Sequence, residues 1–211
     1  MGKPLIIYGA GGLGREVRSM LPFLKQSYDL VGFLDDGVTS GSEVDQIRVL
    51  GGIDWLKENT DPVGLVIAIG NPRVKANVFG QLRQFNQLHF PALIHSHAML
   101  QDVDRIQVGE GSIICANVVL TTAVKIGKHV LLNLNTTVGR ATNMSDFTSV
   151  MAGVKLAGNV NLGSQVMVGS GSNIINNIKV GDSSIIGAGS VVNHDIPAAA
   201  TAAGVPARVI R

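Results

Sequence analysis

The sequence predicts an α/β plus all-β chain, in which a small βαβ domain precedes a domain of repeated short strands. Two observations predict this. A glycine-rich segment, Gly9 to Gly14, stands between an apolar strand pattern and a helical pattern near the amino terminus. Further along, an aliphatic residue occupies every sixth position from Val108 to Val192 without a miss. We therefore expect two domains, residues 1–92 and residues 93–211.

The six-residue repeat has two registers. The first holds fifteen aliphatic residues, and the second, four positions later in each hexad, holds small or β-branched residues from Ser112 to Ile196. Six steps of about 100° rotate the aliphatic position by roughly 240°, so a helix would have no apolar face. A single strand of this length is excluded, because strands usually run about 3 to 10 residues. The repeat therefore predicts short strands that turn and coil around a narrow interior.

The coil pattern resembles the hexapeptide repeat of the left-handed parallel β-helix, a triangular prism with three hexads per coil. The resemblance implies five coils from fifteen hexads, and the unbroken register predicts no large loop between them. Among the glycines that directly follow first-register residues, we expect six to lie at turns that need positive φ. They are Gly127, Gly139, Gly163, Gly169, Gly181 and Gly187.

Composition excludes several classes of function. The net charge of +2 and the lack of a Lys/Arg run give no support to nucleic acid or an anionic membrane as the main partner. The apolar run near the amino terminus is too short for a signal peptide, and no stretch approaches a membrane span in length. The single cysteine, Cys115, permits no internal disulfide, so we expect a reducing cytoplasm. An aromatic content of 4% fits a thin β-helix interior.

The first domain is predicted to contain alternating strands and helices. It is roughly half the size of a full dinucleotide-binding fold. In order, we expect a strand over 5–8, a helix over 15–25, a strand over 30–34, a loop over 49–52, a short helix over 53–59, a strand over 64–70, a helix over 74–85 and a strand or linker over 89–93. A half-size unit of this kind suits a nucleotide-linked ligand better than a complete NAD.

The glycine segment spells G-x-G-x-x-G with Gly9, Gly11 and Gly14, after a strand and before a helix. Backbone N–H groups at such a helix start attract phosphate. Asp35 and Asp36 follow the second strand a little over twenty residues later, where an acidic residue reaches the ribose or base of a nucleotide. Two simpler interpretations remain open, namely a purely structural glycine turn and an exposed turn at the acidic pair.

Four segments together are similar to one family across nearly the whole chain. They are IIYGAGGLGRE, FLDD and AIGN in the first domain and AGVPARVI at 203–210. The chain resembles the sialic-acid O-acetyltransferase and bacillosamine N-acetyltransferase type of sugar acyltransferase, with a Rossmann-like first domain. The resemblance implies transfer of an acetyl group from acetyl-CoA, without a metal, to an amine or hydroxyl of a sugar, often nucleotide-linked, in surface-polysaccharide biosynthesis. It also implies a homotrimer.

The resemblance carries two sets of binding residues to this sequence. The sugar nucleotide is expected at Gly11, Gly12, Leu13, Asp35, Asp36 and Gly70. In the family, acetyl-CoA lies in the groove between neighbouring prisms, and the matching positions here are Ser149, Gly169, Ser170, Gly187 and Ala188. Gly and Ala on the prism surface permit the close approach of a ligand.

The catalytic base is where the sequence departs from the family. The family has a histidine seven residues after an asparagine, often followed by an acid; here the asparagine is Asn133, and Arg140 and Ala141 take the other two places. Arginine stays protonated at any working pH, so it is not a general base. The other histidines are expected to have structural, corner or surface positions; they are His89, His95, His97, His129 and His194.

Three explanations for Arg140 stay open at this point. A neutral amine needs only positioning, and the departing thiolate can accept its proton. Alternatively, Arg140 binds an anionic group of the acceptor while Asn133 orients the nucleophile. In the third, the chain is a scaffold that binds sugar nucleotide or CoA without catalysis. The glycine loop alone also leaves a weaker fourth reading, an NAD-type oxidoreductase.

Overall fold

The protein, described here by a computed structural model, is defined over residues 2–211. Its contacts divide it into two compact units. The first unit extends to Gly70 and resumes over Val74–Pro91, and the second holds Asn71–Arg73 and Ala92–Arg211. No helix within residues 2–211 combines the length and apolar character needed to cross a bilayer.

The first unit is a six-stranded sheet with order β3-β4-β2-β1-β5-β6. The strands β1, β2, β4, β5 and β6 pair in parallel, whereas β3 and β4 form an antiparallel hairpin. The core is formed by the central strands, whose last residues are all buried. In chain order the elements are β1 (Lys3–Tyr8), α1 (Gly12–Met20), β2 (Tyr28–Leu34), β3 (Glu43–Val44), β4 (Ile47–Gly51), α2 (Trp55–Glu58), β5 (Val63–Ile67), α3 (Pro72–Leu82) and β6 (Leu88–His89).

Strands β3 and β4 and helix α1 differ from the sequence prediction. The segment predicted as a loop over 49–52 is mostly strand β4, and β3 was not predicted at all. Helix α1 begins three residues earlier than expected and ends at Met20, where a 3-10 turn over Leu21–Phe23 follows. Pro22 has no N–H to donate to the preceding turn, so the α-helix cannot continue to Lys25.

The second unit is a left-handed β-helix, as the six-residue repeat predicts. Its three faces are sheets of short strands, which we call the first, second and third prism sheets, with eight, six and five strands. The first contains β7 (Leu93–Ile94), β10 (Ile113–Ile114), β13 (Leu131–Leu132), β16 (Ser149–Val150), β19 (Met167–Val168), β22 (Ile185–Ile186), β24 (Thr201–Gly204) and β25 (Ala207–Val209). The second contains β8 (Met99–Leu100), β11 (Val119–Leu120), β14 (Thr137–Val138), β17 (Lys155–Leu156), β20 (Asn173–Ile174) and β23 (Val191–Val192). The third contains β9 (Gln107–Val108), β12 (Lys125–Ile126), β15 (Asn143–Met144), β18 (Asn161–Leu162) and β21 (Lys179–Val180).

Both registers of the repeat point into the prism. All second-register residues from Ser112 to Ile196 are buried, and so are all first-register residues except Val108, which is partly buried. Polar members are tolerated because each buried hydroxyl donates a hydrogen bond to a backbone carbonyl at 2.7–3.3 Å. These members are Ser112, Thr136, Thr142, Thr148, Ser172, Ser184 and Ser190.

The turns follow a third register that the glycine pattern did not predict. From Gly111 to Gly189, every sixth residue has a φ between 52° and 72°, in fourteen consecutive hexads. Only four of these fourteen residues are glycine, and another four are asparagine, which tolerates the left-handed region.

The six glycines after the first register were therefore interpreted wrongly. None of them has a positive φ. A Cβ at any of them would stand 2.3–2.8 Å from atoms outside its own turn, nearly all on the adjacent coil. They are Gly127, Gly139, Gly163, Gly169, Gly181 and Gly187. These positions need glycine because neighbouring coils approach closely there.

The prism starts earlier than the fifteen hexads indicate. Strand β7 pairs with β10 and β8 with β11, which adds strands before Val108. The first offset is twenty residues (Leu93 to Ile113) instead of eighteen (Ile113 to Leu131), and a 3-10 turn at Val103–Arg105 lies in this longer coil. At the other end, β25 folds back antiparallel on β24. From Val108 to Ile196 no large loop interrupts the coil, as predicted.

Candidate functional site

All six residues expected to bind the sugar nucleotide line one pocket in the first unit. The pocket has a volume of about 410 Å³, and its lining includes Gly11, Gly12, Leu13, Asp35, Asp36 and Gly70. Strands β1, β2 and β5 are parallel neighbours that end at Tyr8, Leu34 and Ile67. The segments that follow them therefore meet at one edge of the sheet, which is where open α/β sheets bind ligands.

The glycine segment is shaped by close packing between helix and strand. A Cβ on Gly14 would stand 1.9 Å from the carbonyl oxygen of Gly9, so α1 could not sit this near the end of β1 with any other residue there. Gly9 itself has a φ of 105° and lies against the carbonyl oxygen of Ala68. Gly11 and Gly12, in contrast, have open space where a side chain would be, so the backbone at the helix start is accessible to a ligand.

Asp35 ties two segments of the pocket together. Its Oδ2 accepts a hydrogen bond from the amide of Ala10 at 2.8 Å, and its Oδ1 accepts one from the amide of Gly37 at 2.9 Å. A carboxylate offers about four lone-pair sites, so two remain for a ligand. Asp35 thus fixes the glycine loop and still has acceptor capacity that faces the pocket.

Asp36 is held in a similar way by different partners. Its Oδ1 accepts from the amide of Ile53 at 2.9 Å, and its Oδ2 accepts a short hydrogen bond from the hydroxyl of Tyr8. Burial, and then the hydrogen bond to Asp36, raise the pKa of the Tyr8 phenol. The Tyr8 hydroxyl therefore stays protonated at working pH. It acts as a hydrogen-bond donor that keeps the Asp36 carboxylate in one orientation. Asp36 is exposed in a turn, as the simpler interpretation expects, while Asp35 is partly buried; hydrogen bonds fix both carboxylates.

Arg140 lies on a corner of the prism and reaches across the next coil. Thr122, Arg140, Gly158 and Asn176 are spaced by eighteen residues, and backbone hydrogen bonds join their consecutive coils. A Cβ on Gly158 would stand 2.5 Å from Nη1 of Arg140 and 3.4 Å from its Cγ. The amide of Gly158 donates to Oδ1 of Asn176 at 2.9 Å. The guanidinium thus lies over the backbone of Gly158, in space that a side chain at position 158 would occupy.

A single chain does not bring Asn133 and Arg140 together. Asn133 follows β13 on the first prism sheet, whereas Arg140 follows β14 on the second, so they occupy different corners. The Oδ1 of Asn133 accepts from the neighbouring amide of Leu134 at 2.7 Å. Any joint action of these two residues would need contributions from two copies of the chain.

The residues expected to bind CoA fall into two groups. Gly169 and Ser170 follow β19, and Gly187 and Ala188 follow β22 on the next coil, so they stack at one corner. A Cβ on Gly169 would stand 2.5 Å from the amide nitrogen of Ala188. Ser149 lies on β16 of the same sheet but is fully buried. The four residues stacked at this corner are accessible to a ligand, and Ser149 is not.

Comparison with protein families matches residues 4–82 to the PglD N-terminal domain. Solved structures match the chain over nearly its full length. The acetyltransferase domain of PglB from Neisseria gonorrhoeae is 28% identical, with a TM-score of 0.90 over 99% of this chain and 100% of that one. WeeI from Acinetobacter baumannii is 29% identical, with a TM-score of 0.87 over the same shares.

A perosamine N-acetyltransferase from Caulobacter crescentus has the same fold at 24% identity, with a TM-score of 0.89 over 99% of this chain and 97% of that one. The chain is thus similar to the PglD N-terminal domain over residues 4–82 and to sugar N-acetyltransferase structures over nearly its whole length. The resemblance inferred from the four sequence segments is thereby confirmed.

The histidines of this chain lie away from the Arg140 corner, with one exception. His129 is buried at a corner that follows the third prism sheet, and its ring stacks on Phe147 with centroids 5.3 Å apart. His95 and His97 contact each other edge to face, and burial lowers the pKa of His95. His89 is part of β6, where a linker was also considered. The exception, His194, is partly buried beside the exposed Asn193 and lies eighteen residues after Asn176 in the corner that holds Arg140.

Sequence reasoning missed four residues in or next to the pocket of the first unit. Tyr8, Val74 and Val78 line this pocket, and the four-residue spacing of the valines on α3 was the available signal. Lys75, next to Val74, is buried, which lowers its pKa to about 7.

Within residues 2–211, no three His, Cys, Asp or Glu side chains are grouped so that they could hold a metal ion.

Proposed function

We propose that this acyltransferase moves an acetyl group from acetyl-CoA to an amine of a nucleotide-linked amino sugar. The observation that carries the proposal is the single pocket that gathers Gly11, Gly12, Leu13, Asp35, Asp36 and Gly70 in a chain with a hexapeptide prism. The N. gonorrhoeae relative is described in complex with acetyl coenzyme A, at 28% identity over both full chains. The C. crescentus protein is described in complex with CoA and GDP-perosamine.

The residues suggest a division of roles. The accessible backbone at Gly11 and Gly12 and the start of α1 suit a diphosphate, because unpaired N–H groups at a helix start attract phosphate. The free acceptor sites of Asp35 and Asp36 suit ribose or base groups. Gly169, Ser170, Gly187 and Ala188 suit the pantetheine arm, since the corner carries no bulky side chain. Ser149 is not part of this proposal, because it is buried.

Arg140 favours an amine over a hydroxyl as the nucleophile. A hydroxyl needs a general base to lose its proton near neutral pH, and a guanidinium cannot act as one. An amine that binds without its extra proton needs only correct placement. A permanent positive charge nearby also lowers the pKa of an ammonium group and so raises the neutral fraction.

The reaction then needs no protein base. The amine nitrogen attacks the thioester carbonyl carbon, and the C–S bond breaks as the tetrahedral intermediate collapses. The nitrogen loses one proton and the departing thiolate takes one up, so charge and atoms balance. The products are an amide and free CoA.

The family also suggests assembly and compartment. We propose a homotrimer in which Asn133 and Arg140 come from different copies of the chain, because one chain separates them. A reducing cytoplasm fits the single thiol of Cys115.

A second candidate is a non-catalytic scaffold that binds sugar nucleotide or CoA, and Arg140 in the usual base position is the observation that favours it. Release of free thiol from acetyl-CoA separates the two. The enzyme proposal predicts release that depends on an amino-sugar nucleotide and is absent with the matching hydroxyl sugar. Binding of both ligands without thiol release, across a panel of amino sugars, would leave the scaffold as the function.

A further inference from the structure

A cationic groove lies on the second prism sheet. It has a volume of about 440 Å³, and its polar lining consists of Thr137, Lys155, Asn173 and Asn176. No Asp or Glu lines it within the described residues. The larger groove on the third sheet differs, because Asp195 lines that one and accepts a hydrogen bond from the amide of Lys179.

Arg140 borders this groove at the corner of the prism. Its side chain lies over Gly158, which directly follows the lining residue Ala157 and donates to Oδ1 of the lining residue Asn176. On the other side of Arg140 in the same corner, the hydroxyl of Thr122 donates a hydrogen bond to Oδ2 of Asp102. The Arg140 side chain extends away from that acid and toward the groove.

Neither cation at the groove is neutralised by the protein. Arg140 and Lys155 are both exposed, and within residues 2–211 no carboxylate lies within ion-pair distance of either. Lys155 lies on β17 between the lining residues Thr137 and Asn173, so its exposed side chain extends from the middle strand of the groove. The amides of Asn173 and Asn176 add uncharged donors along the same wall.

We propose that this groove binds a carboxylate group carried by one of the two substrates, with Arg140 and Lys155 as its ligands. Arginine presents a planar fork that matches a carboxylate with two parallel hydrogen bonds, and lysine adds a point charge. The proposal rests on the proposed function and makes its site specific for an acidic substrate. Arg140 is then a specificity residue where relatives of this kind place a base.

The carboxylate has two possible sources, an acidic acceptor sugar or an acyl group with a second acid. Two matched pairs of probes distinguish them. UDP-glucuronate and UDP-glucose differ only at the sugar carboxylate, and succinyl-CoA and butyryl-CoA differ only at the end of the acyl chain. Calorimetric titration of the full chain measures the affinity for all four.

The expected result is a preference for the acidic member of one pair by roughly tenfold to hundredfold, as hydrogen bonds to a charged group provide. Arg140→Gln should abolish the preference, Arg140→Lys should retain part of it, and Lys155→Gln should reduce it. Lys125→Gln is the matched control, because Lys125 is an exposed lysine in the corresponding outward position of the third sheet. It should leave the preference unchanged.

Two results would overturn the proposal: equal affinities within both pairs, including undetectable binding of all four probes, or a preference that survives Arg140→Gln. Thermal unfolding of each variant checks that the exposed substitutions leave the fold intact. Thiol release from acetyl-CoA with a neutral amino-sugar nucleotide tests the proposed function separately. An enzyme active in that assay but without acid preference refutes only the groove.

Discussion

The Nη1 atom of Arg140 lies 2.5 Å from the position that a Cβ of Gly158 would occupy. The two residues are eighteen positions apart on consecutive coils, so the absence of a side chain at one gives the other its path across the corner. A histidine at 140 would be too short to lie across Gly158 in this way. Gly158 therefore gives the Arg140 guanidinium access to a specific surface on the next coil.

Gly158→Ala should displace the guanidinium without unfolding the prism. The clash is with the far end of a flexible side chain, and Gly158 does not have a positive φ, so the free energy of unfolding should change by less than about 0.5 kcal/mol. Activity and acid preference should fall toward the values of Arg140→Gln. Gly80→Ala, at an exposed glycine of α3 with open space for a Cβ, is the control for a glycine substitution in the first unit. Unchanged activity in Gly158→Ala would show that the guanidinium position is irrelevant.

Arg140→His should introduce a general base and a new ionisation. In the native enzyme, the rate should rise with pH only as the acceptor amine loses its proton. With histidine, kcat at saturating substrate should increase by about tenfold or more, since base catalysis typically contributes 10² to 10⁴, and a second ionisation should appear near about pH 6.5. Steady-state rates from acid to alkaline pH measure both. A variant indistinguishable from Arg140→Gln would mean that residue 140 does not reach the nucleophile.

Asp35→Ala should loosen the glycine loop and weaken binding of the sugar nucleotide. Two backbone amides, those of Ala10 and Gly37, lose their acceptor, which should cost about 1–3 kcal/mol of unfolding free energy. We expect affinity for a nucleotide sugar to fall by about tenfold. Urea unfolding and calorimetry check the two effects, with the exposed Asp29→Asn as control. Full nucleotide affinity in Asp35→Ala would remove this pocket from the proposed site.

Gly127→Ala and Gly153→Ala should destabilise the prism for different reasons. A Cβ on Gly127 would stand 2.5 Å from Oδ1 of Asp146, so the coils must separate at a cost of about 1–3 kcal/mol. Gly153 has open space but a φ of 72°, which costs alanine about 1–2 kcal/mol. Asparagine should rescue position 153, because it tolerates this φ, and should not rescue 127. Rescue at both positions would contradict the steric account of Gly127.

The prism was predictable because fifteen hexads place the same classes of residue at the same two positions. A six-residue period in two registers left few alternatives to a narrow coil, and both registers are buried as expected. The turn register was not predictable from glycines, because Asn135, Ala141 and Phe147 adopt left-handed φ values as Gly111 does. The tertiary structure imposes this conformation, and sequence shows it only as a position that avoids β-branched residues.

That the six candidate residues of the first unit would meet in one pocket was predictable, since strand ends in a parallel sheet converge at one edge. The bonds that tie Asp35 and Asp36 to backbone amides were not, because they join segments distant in sequence. The groove on the second prism sheet was also not predictable from the sequence. Lys155 lines this groove and Arg140 borders it only once the coil has closed, so their spacing along the chain gave no signal.

The central claim is amide formation on a nucleotide-linked amino sugar without a protein base at position 140. Mass spectrometry of the sugar nucleotide after incubation with isotope-labelled acetyl-CoA tests it most directly, with an equimolar free-thiol assay in parallel. The account predicts one labelled acetyl group on the amino sugar for each thiol released, and none on the matching hydroxyl sugar. Label on the hydroxyl sugar, or no label on any member of an amino-sugar panel that binds the protein, would contradict it.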